Sequence, residues 1–269
     1  MRIEARFTNS LNVSAIHFHC TMCGQCCKNH SLPLTLTEAI RWLEDGGDLA
    51  LFCEAVPWHS DPPPENLRAA HQEKRSFAVA CGSSNVRVTV IFVGVISGAC
   101  MHLGADLKCG IYERRPLVCR IYPAEISPFI QLNKAAKACP PESWSDEQPL
   151  LMTDGMVADP HLRDLIERSR QTDRDEAARK AVLCVDLGIS AAAVADEGFV
   201  AHEPERESFL KALRKMRDGD THLEPGRAWR LYSREPATLQ TLAAQGMQIY
   251  NQKSAEDRFV WIHAPRTTA

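Results

Sequence analysis

Apolar residues recur at helical steps through the C-terminal half of the chain, most regularly over residues 161–187. This period predicts one long amphipathic helix in that segment. Weaker patterns of the same kind predict two shorter helices, at 205–217 and 237–250, and a final apolar run predicts a short strand at 259–262. From about residue 150 onward the chain is therefore expected to be mostly helical.

The N-terminal half shows a different pattern, whose longest run of β-branched and apolar residues covers 86–96. A continuous run of this kind predicts a largely buried strand. The polar segment 83–85 before it suits a turn, so residues 77–81 and 86–96 are expected to pair as a hairpin. Residues 1–19 are only weakly strand-like.

One N-terminal helix is predicted together with both of its ends. Thr35 and Glu38 have the spacing of a capping box, and apolar residues follow at helical steps over 34–43. Gly46 and Gly47 would end this helix. Further short helical segments are predicted at 65–75 and at 114–120, the second with a proline near its start.

The composition is that of an ordinary soluble globular protein. The 269 residues are 45% hydrophobic and 24% charged, and the formal net charge of -3 gives no reason to expect general nucleic-acid binding. The longest apolar stretch, 88–96, is too short to span a bilayer, and the first residues lack the pattern of a signal sequence. We therefore expect a cytoplasmic protein without a membrane partner. In that reducing compartment, 11 cysteines indicate metal or redox chemistry rather than disulfides.

Eight of these cysteines are clustered, four within residues 20–27 and four between residues 100 and 139. Thiolates bind zinc and iron, and a tight turn presents several of them to one ion, so all eight are predicted metal ligands. They are Cys20, Cys23, Cys26, Cys27, Cys100, Cys109, Cys119 and Cys139. The remaining three, Cys53, Cys81 and Cys184, are isolated in apolar runs and are expected to pack in the core.

The first three cysteines have the C-x2-C-x2-C spacing that supplies three ligands to one [4Fe–4S] cluster in ferredoxin-type loops. One of the downstream cysteines would supply the fourth ligand, and Gly24 would allow the backbone conformation that such a turn needs. Each C-x2-C pair is equally half of a zinc site, so Zn²⁺ is the alternative to the favoured [4Fe–4S] cluster. Adjacent side chains tend to point in different directions. Cys27 would therefore serve a second site, line the substrate side, or pack structurally.

Other polar residues near the cysteines are weaker candidates. His102 is the best histidine candidate for a ligand, although surface or hydrogen-bonded histidines are the commoner case. Arg114, Arg115 and Arg120 could offset the negative charge of a four-thiolate site, but we favour the interpretation that each is a solvated surface residue or a partner of Glu113 or Glu125. No glycine-rich phosphate loop or nucleophile elbow is present in the sequence, and no catalytic residue is assigned.

Two cysteine motifs resemble those of the YkgJ-like cysteine cluster proteins, also called the zinc- or iron-chelating CxxCxxCC domain. The resemblance lies in 18–27 and 109–123, with Cys100 opening the second block, and it covers roughly 16–140. Where the family motif has Phe-Pro, this chain has Tyr122-Pro123. The resemblance implies metal chelation. Family members are often labelled Fe–S oxidoreductases, and similarity to the flagellin lysine N-methylase implies that Fe–S-dependent methyl transfer is a further alternative.

The patterns together predict an α+β fold in two parts. Residues 1–150 would form a small, irregular, metal-stapled cysteine-rich domain with a β-hairpin and short helices, which binds the metal or iron–sulfur cluster. Residues 151–269 would form a mostly helical part of unknown role. Three functions remain open: an Fe–S protein of the oxidoreductase type; a structural zinc module that mediates interactions; or an Fe–S-dependent protein lysine methylase. The partner would be an unidentified protein or redox partner.

Overall fold

This computed structural model of the protein describes residues 15–58, 60–219, 227–249 and 258–260, the last segment as backbone only. The strands of the described residues are β1 Ile16–His17, β2 Ser31–Leu34, β3 Asp48–Pro57, β4 Phe77–Cys81, β5 Ser84–Val95, β6 Leu150–Thr153, β7 Met156–Val157, β8 Ala191–Val194, β9 Phe199–His202, β10 Arg230–Tyr232 and β11 Arg258–Val260. The α-helices are α1 Leu36–Glu44, α2 Leu67–Lys74, α3 Leu117–Ile121, α4 Pro160–Asp186, α5 Arg206–Arg217 and α6 Pro236–Ala244.

One large mixed sheet draws strands from both halves of the chain. Its main path runs in the order β10-β8-β3-β5-β2, with β4 paired to β5, β9 paired to β3, and β11 paired to β9. The longest pairing is between β3 and β5, which run antiparallel over the whole length of β3. The other edge of β3 is shared, since β8 pairs with it in parallel and β9 in antiparallel orientation. Strand β3 therefore joins the two halves of the molecule.

Helices α1, α4 and α5 cover one face of this sheet and build the main core with it. Leu51, Val88 and Phe92 of the sheet are almost fully buried in the same apolar cluster as Phe209 and Leu213 of α5. A second apolar cluster forms where α3 packs on the N-terminal end of α4 and on the small sheet β1-β6-β7. The irregular segment between β5 and β6 lies beside this second cluster and carries the downstream cysteines.

The predicted α+β class is confirmed, and several elements lie where the sequence places them. Helix α1 begins with a complete capping box between Thr35 and Glu38, and β4 and β5 form the predicted hairpin. Helices α2, α3, α4 and α5 fall within two or three residues of their predicted bounds. For the weakly strand-like 1–19, residues 1–14 lie outside the described residues, as do 261–262 of the predicted final strand.

Two features differ from the expectation. Helix α6 ends at Ala244 and not near residue 250, because Gly246 takes a left-handed conformation (φ 76°) that closes the helix. The Met247 N–H then donates back to the Leu242 carbonyl at 3.1 Å. The C-terminal half also contributes β8, β9, β10 and β11 to the large sheet, where only one final strand was expected, and the division at residue 150 stays a prediction.

No helix among the described residues combines the length and the apolar character that crossing a bilayer would need.

Candidate metal centre

All eight clustered cysteines line one cavity of about 530 Å³. Its walls come from the turn at 19–27, the irregular segment after β5, helix α3 and the first turn of α4. Each of the eight side chains is partly buried, and none of them is paired in a disulfide. The structure thus brings together residues that are up to about 120 positions apart in the sequence.

The first three cysteines lie in a turn that depends on Gly24. This glycine has φ 69° and directly precedes a short 3₁₀ turn, Gln25–Cys27. A Cβ atom at this position would lie 3.1 Å from both the Leu103 side chain and the Leu107 carbonyl oxygen. Positive φ and close approach together explain why the C-x2-C-x2-C turn has glycine here, as the sequence predicted.

Cys27, at the end of this turn, pairs through its backbone with the segment that carries Cys100. Its carbonyl accepts from the Cys100 N–H at 2.7 Å, and a bridge between Lys28 and Ala99 extends the same pairing. Cys109 returns to this region through a second bridge, between itself and Leu103. Backbone hydrogen bonds therefore place Cys27, Cys100 and Cys109 in one local network.

Cys119 lies on α3, whose N-terminus is held by α1. The Glu38 carboxylate accepts from the Thr35 N–H at 2.9 Å through Oε2 and from the Leu117 N–H at 2.8 Å through Oε1. One side chain thus caps two helices. Pro116 lies at the N-cap of α3 and lacks the N–H that a helix start leaves unpaired. These contacts orient the helix that presents Cys119 to the cavity.

Cys139 lines the cavity near the cysteines of the first turn. The Tyr122 hydroxyl accepts from the Ala138 N–H at 2.9 Å and donates a hydrogen bond to the Cys139 sulfur. The segment that follows Cys139 is tied to the N-terminal strand region, because the His19 N–H donates to the Ser143 carbonyl at 2.9 Å. Cys139 is therefore held next to residues 19–23.

The adjacent thiols Cys26 and Cys27 interact directly. The Cys26 thiol donates a hydrogen bond to the Cys27 sulfur, and this contact, together with the nearby Arg115 guanidinium, lowers the pKa of Cys27 to about 7 against the effect of burial. The same hydrogen bond and burial raise the pKa of Cys26. Cys27 is thus partly ionised near neutral pH, in the thiolate form that binds metals.

Burial dominates the pKa of the other thiols whose values are shifted. It raises the pKa of Cys119 to about 12, and it also raises the pKa values of Cys100 and Cys139. A bound metal ion would displace these protons, because a coordinating thiol is deprotonated.

Two basic side chains lie close to the thiols. Arg115 interacts with Cys27 and Cys119, and its guanidinium lies 3.7 Å from the centroid of the Tyr112 ring. This differs from the solvated surface position that we favoured for it. Lys137 interacts with Cys139 and pairs with Glu125 at 2.7 Å. Four thiolates around Zn²⁺ or a [4Fe–4S]²⁺ cluster carry a net charge of about -2, so both cations favour metal binding.

The remaining candidates take different positions. His102 also lines the cavity, but its Nε2 lies 3.6 Å from a carboxylate oxygen of Asp45 and its ring packs edge-on against Trp42. Arg120 lines the cavity as well, with its guanidinium 3.4 Å from His161, whereas Arg114 is exposed. The three isolated cysteines, Cys53, Cys81 and Cys184, are buried in the main core as predicted.

Sequence reasoning missed two residues of this site. Lys137 carried no sequence signal, since it is one lysine among several charged residues. Tyr122 did carry one, because it stands where the family motif has Phe, and the difference is the hydroxyl that contacts Cys139.

The donor set fits a metal chemically, although its atoms would have to move. Eight thiols with two nearby cations form a soft, electron-rich lining of the type that binds Zn²⁺ or iron. In the part of the chain that the structure describes, no three His, Cys, Asp or Glu side chains stand ready to hold a metal ion. Binding therefore requires the thiols to turn inward, as is common where the metal completes the site.

Comparison with known proteins agrees with this donor set. Residues 19–140 match the family model "CxxCxxCC: Putative zinc- or iron-chelating domain", and this confirms the predicted resemblance for that segment. The matched range includes all eight clustered cysteines. Neither the curated proteins nor the solved structures gave a significant match.

Proposed function

We propose that this protein binds an iron–sulfur cluster and uses it in redox chemistry, and the match of residues 19–140 to a zinc- or iron-chelating domain supports this. The ligands would be Cys20, Cys23, Cys26 and Cys139. The observation that supports this choice is the position of Cys139, which faces the C-x2-C-x2-C turn across one cavity. When bound, the cluster supplies a centre that accepts and donates single electrons.

The chain's own residues would position and balance this centre. The Tyr122 hydroxyl orients the Cys139 sulfur, and it would stabilise the thiolate by donating a hydrogen bond to it. Lys137 places a positive charge near the same sulfur. Gly24 sets the turn that directs the other three thiols toward the cavity. Each contact favours the deprotonated form that binds iron.

The alternative is a zinc site, because four thiolates also bind Zn²⁺ and the matched domain is described as zinc- or iron-chelating. Zinc has no redox chemistry at this site. Its role would be to hold the cysteine segments together so that their surface can bind a partner protein.

The test is the metal and acid-labile sulfide content of full-length protein purified without oxygen, measured together with the visible spectrum. We expect iron and sulfide in equal amounts, at least about four of each per chain, and a broad absorption band near ~400 nm. Stoichiometric zinc without sulfide, in a colourless sample, would contradict the redox proposal and favour the zinc module.

Two variants assign the metal to the cysteine turn. Cys23→Ser should remove the iron–sulfur absorption, because it deletes one of the ligands in the turn. Cys184→Ala is the matched control, since Cys184 is fully buried in the main core and should leave the metal content unchanged. Full metal content in Cys23→Ser would show that the ligand assignment is wrong.

A further inference from the structure

Four cysteines of the cavity remain without a role once the first centre is assigned: Cys27, Cys100, Cys109 and Cys119. They come from three parts of the chain, which are the end of the first turn, the irregular segment after β5, and helix α3. All four line the same cavity as the first centre. Packing alone does not explain why four partly buried thiols converge here, so we considered what they could bind.

The backbone brings three of these residues together without help from any ligand. The Cys100 N–H donates to the Cys27 carbonyl at 2.7 Å, and the Asn29 N–H donates to the Gly98 carbonyl at 2.8 Å. The loop from Cys100 to Cys109 then closes on itself, because the Gly110 N–H donates to the His102 carbonyl at 2.7 Å. Cys27, Cys100 and Cys109 are thus fixed by three short hydrogen bonds.

Cys119 reaches the group from the other wall, on a helix that Glu38 holds to α1. Its thiol interacts electrostatically with Cys27, Cys100 and Cys109. The thiol of Cys100 interacts with Cys27 and Cys109 in the same way. The four thiols are therefore within electrostatic reach of one another, and because no three of the described side chains stand ready to hold a metal, they would have to turn inward to bind one.

The first group shows the matching pattern. Cys26 interacts with Cys20 and Cys139, and Cys139 interacts with Cys20 and Cys23. The adjacent residues Cys26 and Cys27 mark the border between the groups and contact each other there. Each group also has its own cation, Lys137 beside Cys139 and Arg115 beside Cys27 and Cys119. A single centre would need neither eight thiols nor two separate cations.

We propose that Cys27, Cys100, Cys109 and Cys119 form a second four-thiolate metal centre, separate from the one at Cys20, Cys23, Cys26 and Cys139. It would take a thiophilic metal, either Zn²⁺ or iron with sulfide. The centre ties the first turn, the irregular segment and α3 together around the cavity. The proposal rests on the proposed function in so far as the cysteine cavity must bind metal at all.

The first experiment uses the full-length wild-type chain, freed of metal, fully reduced and kept without oxygen. It is titrated with Co²⁺, which absorbs visible light when four thiolates bind it tetrahedrally and which replaces zinc or iron in such sites. We expect the absorption to rise to a break at about two equivalents per chain. A break at about one equivalent would overturn the second centre but keep metal binding. Absence of any thiolate-type absorption would instead contradict the proposed function itself.

The second experiment assigns each centre to its cysteines. Cys139→Ser and Cys119→Ser should each remove about half of the bound Co²⁺, the double variant should remove nearly all of it, and Cys184→Ala should remove none. Metal analysis of the same variants as purified distinguishes zinc from iron with sulfide at the centre that is left. Full Co²⁺ binding by Cys119→Ser would overturn the assignment. If Cys119→Ser binds no Co²⁺ because it fails to fold, the break in the wild-type titration decides.

Discussion

At the scale of single residues, Tyr122 is the side chain whose chemistry bears most directly on the first centre. Its hydroxyl accepts from the Ala138 N–H and donates to the Cys139 sulfur. Tyr122→Phe removes both contacts and leaves the ring in place. We expect metal affinity at the first centre to fall by about tenfold, which is a usual cost for a lost contact to a metal ligand. Competition between the protein and a chelator for Co²⁺ measures this change.

Tyr112→Phe is the matched control for Tyr122→Phe. Tyr112 also lines the cavity, and its ring lies under the Arg115 guanidinium, an interaction that phenylalanine preserves. Equal losses of affinity in the two variants would show that the hydrogen bonds of Tyr122 are not responsible.

A second prediction concerns Glu54 on β3, which does not line the cysteine cavity. Burial raises the pKa of Glu54 from 4.5 to about 7, and Arg75 opposes this only in part. The folded chain thus holds this proton more tightly than the unfolded chain, so the associated stability is complete below pH 4.5 and is lost as the pH rises through 7. Glu54→Gln should therefore gain about 1–3 kcal/mol over wild type at pH 8 and little at pH 5.

Urea unfolding of wild type and Glu54→Gln at several pH values checks this prediction. The difference between the two free energies of unfolding removes pH effects that both chains share, including those of the cysteines. A difference that stays constant from pH 5 to pH 8 would contradict the raised pKa.

At the scale of elements, helix α1 is connected to the cavity by one carboxylate. Glu38 caps its own helix and also accepts from the Leu117 N–H at the start of α3. Glu38→Ala should lower the free energy of unfolding by about 1–3 kcal/mol, since two N–H groups lose their partner. It should also weaken Co²⁺ binding at the second centre, because α3 presents Cys119.

Thr35→Ala separates these two effects. It removes the other half of the capping box but leaves the Glu38 contact with Leu117. The free energy of unfolding should fall by about 1 kcal/mol while Co²⁺ binding stays unchanged. The link between α1 and the cavity would be disproved if both variants changed metal binding alike.

Local signals explain which elements the sequence could predict. The cap of α1 and the β4–β5 hairpin depend on residues within about ten positions of one another, and both were predicted correctly. Strand β3 was missed, because its apolar run has no local turn or cap signal. It is stabilised as a strand by pairing with β8 and β9, which lie far along the chain. The cysteine spacing likewise predicted a metal site, whereas the division into two groups depends on how the segment 97–149 folds back.

At the scale of the whole molecule, the shared sheet makes the two halves of the chain depend on each other. A chain that ends at residue 150 would lose β8 and β9, which pair with one edge of β3. It would also lose Glu176, whose carboxylate accepts from the Leu36 N–H at 2.8 Å. We expect this fragment to show no cooperative thermal unfolding by circular dichroism, even when it is loaded with metal, whereas the full chain does. A sharp transition in the fragment would support two independent domains.

Metal removal should have a mainly local effect, because seven of the eight clustered cysteines lie outside the main core, which only Cys100 packs against. Apolar contacts stabilise the core around β3, β5 and α5. The three cysteines buried in it, Cys53, Cys81 and Cys184, do not line the cavity. The segment 97–149 has little regular structure beyond helix α3 and short 3₁₀ turns, so we expect its protection to depend more strongly on the metal.

Hydrogen exchange of the full-length protein, with and without metal, tests this separation. Amides in 19–30 and 97–149 should exchange faster by about tenfold or more once the metal is removed, while those of β3 and β5 keep their protection. Loss of protection in β3 and β5 as well would mean that the metal stabilises the entire fold. The cysteine cavity would then be part of the global folding unit. The expected result would mean that the metal stabilises residues 19–30 and 97–149, whereas the sheet remains folded without it.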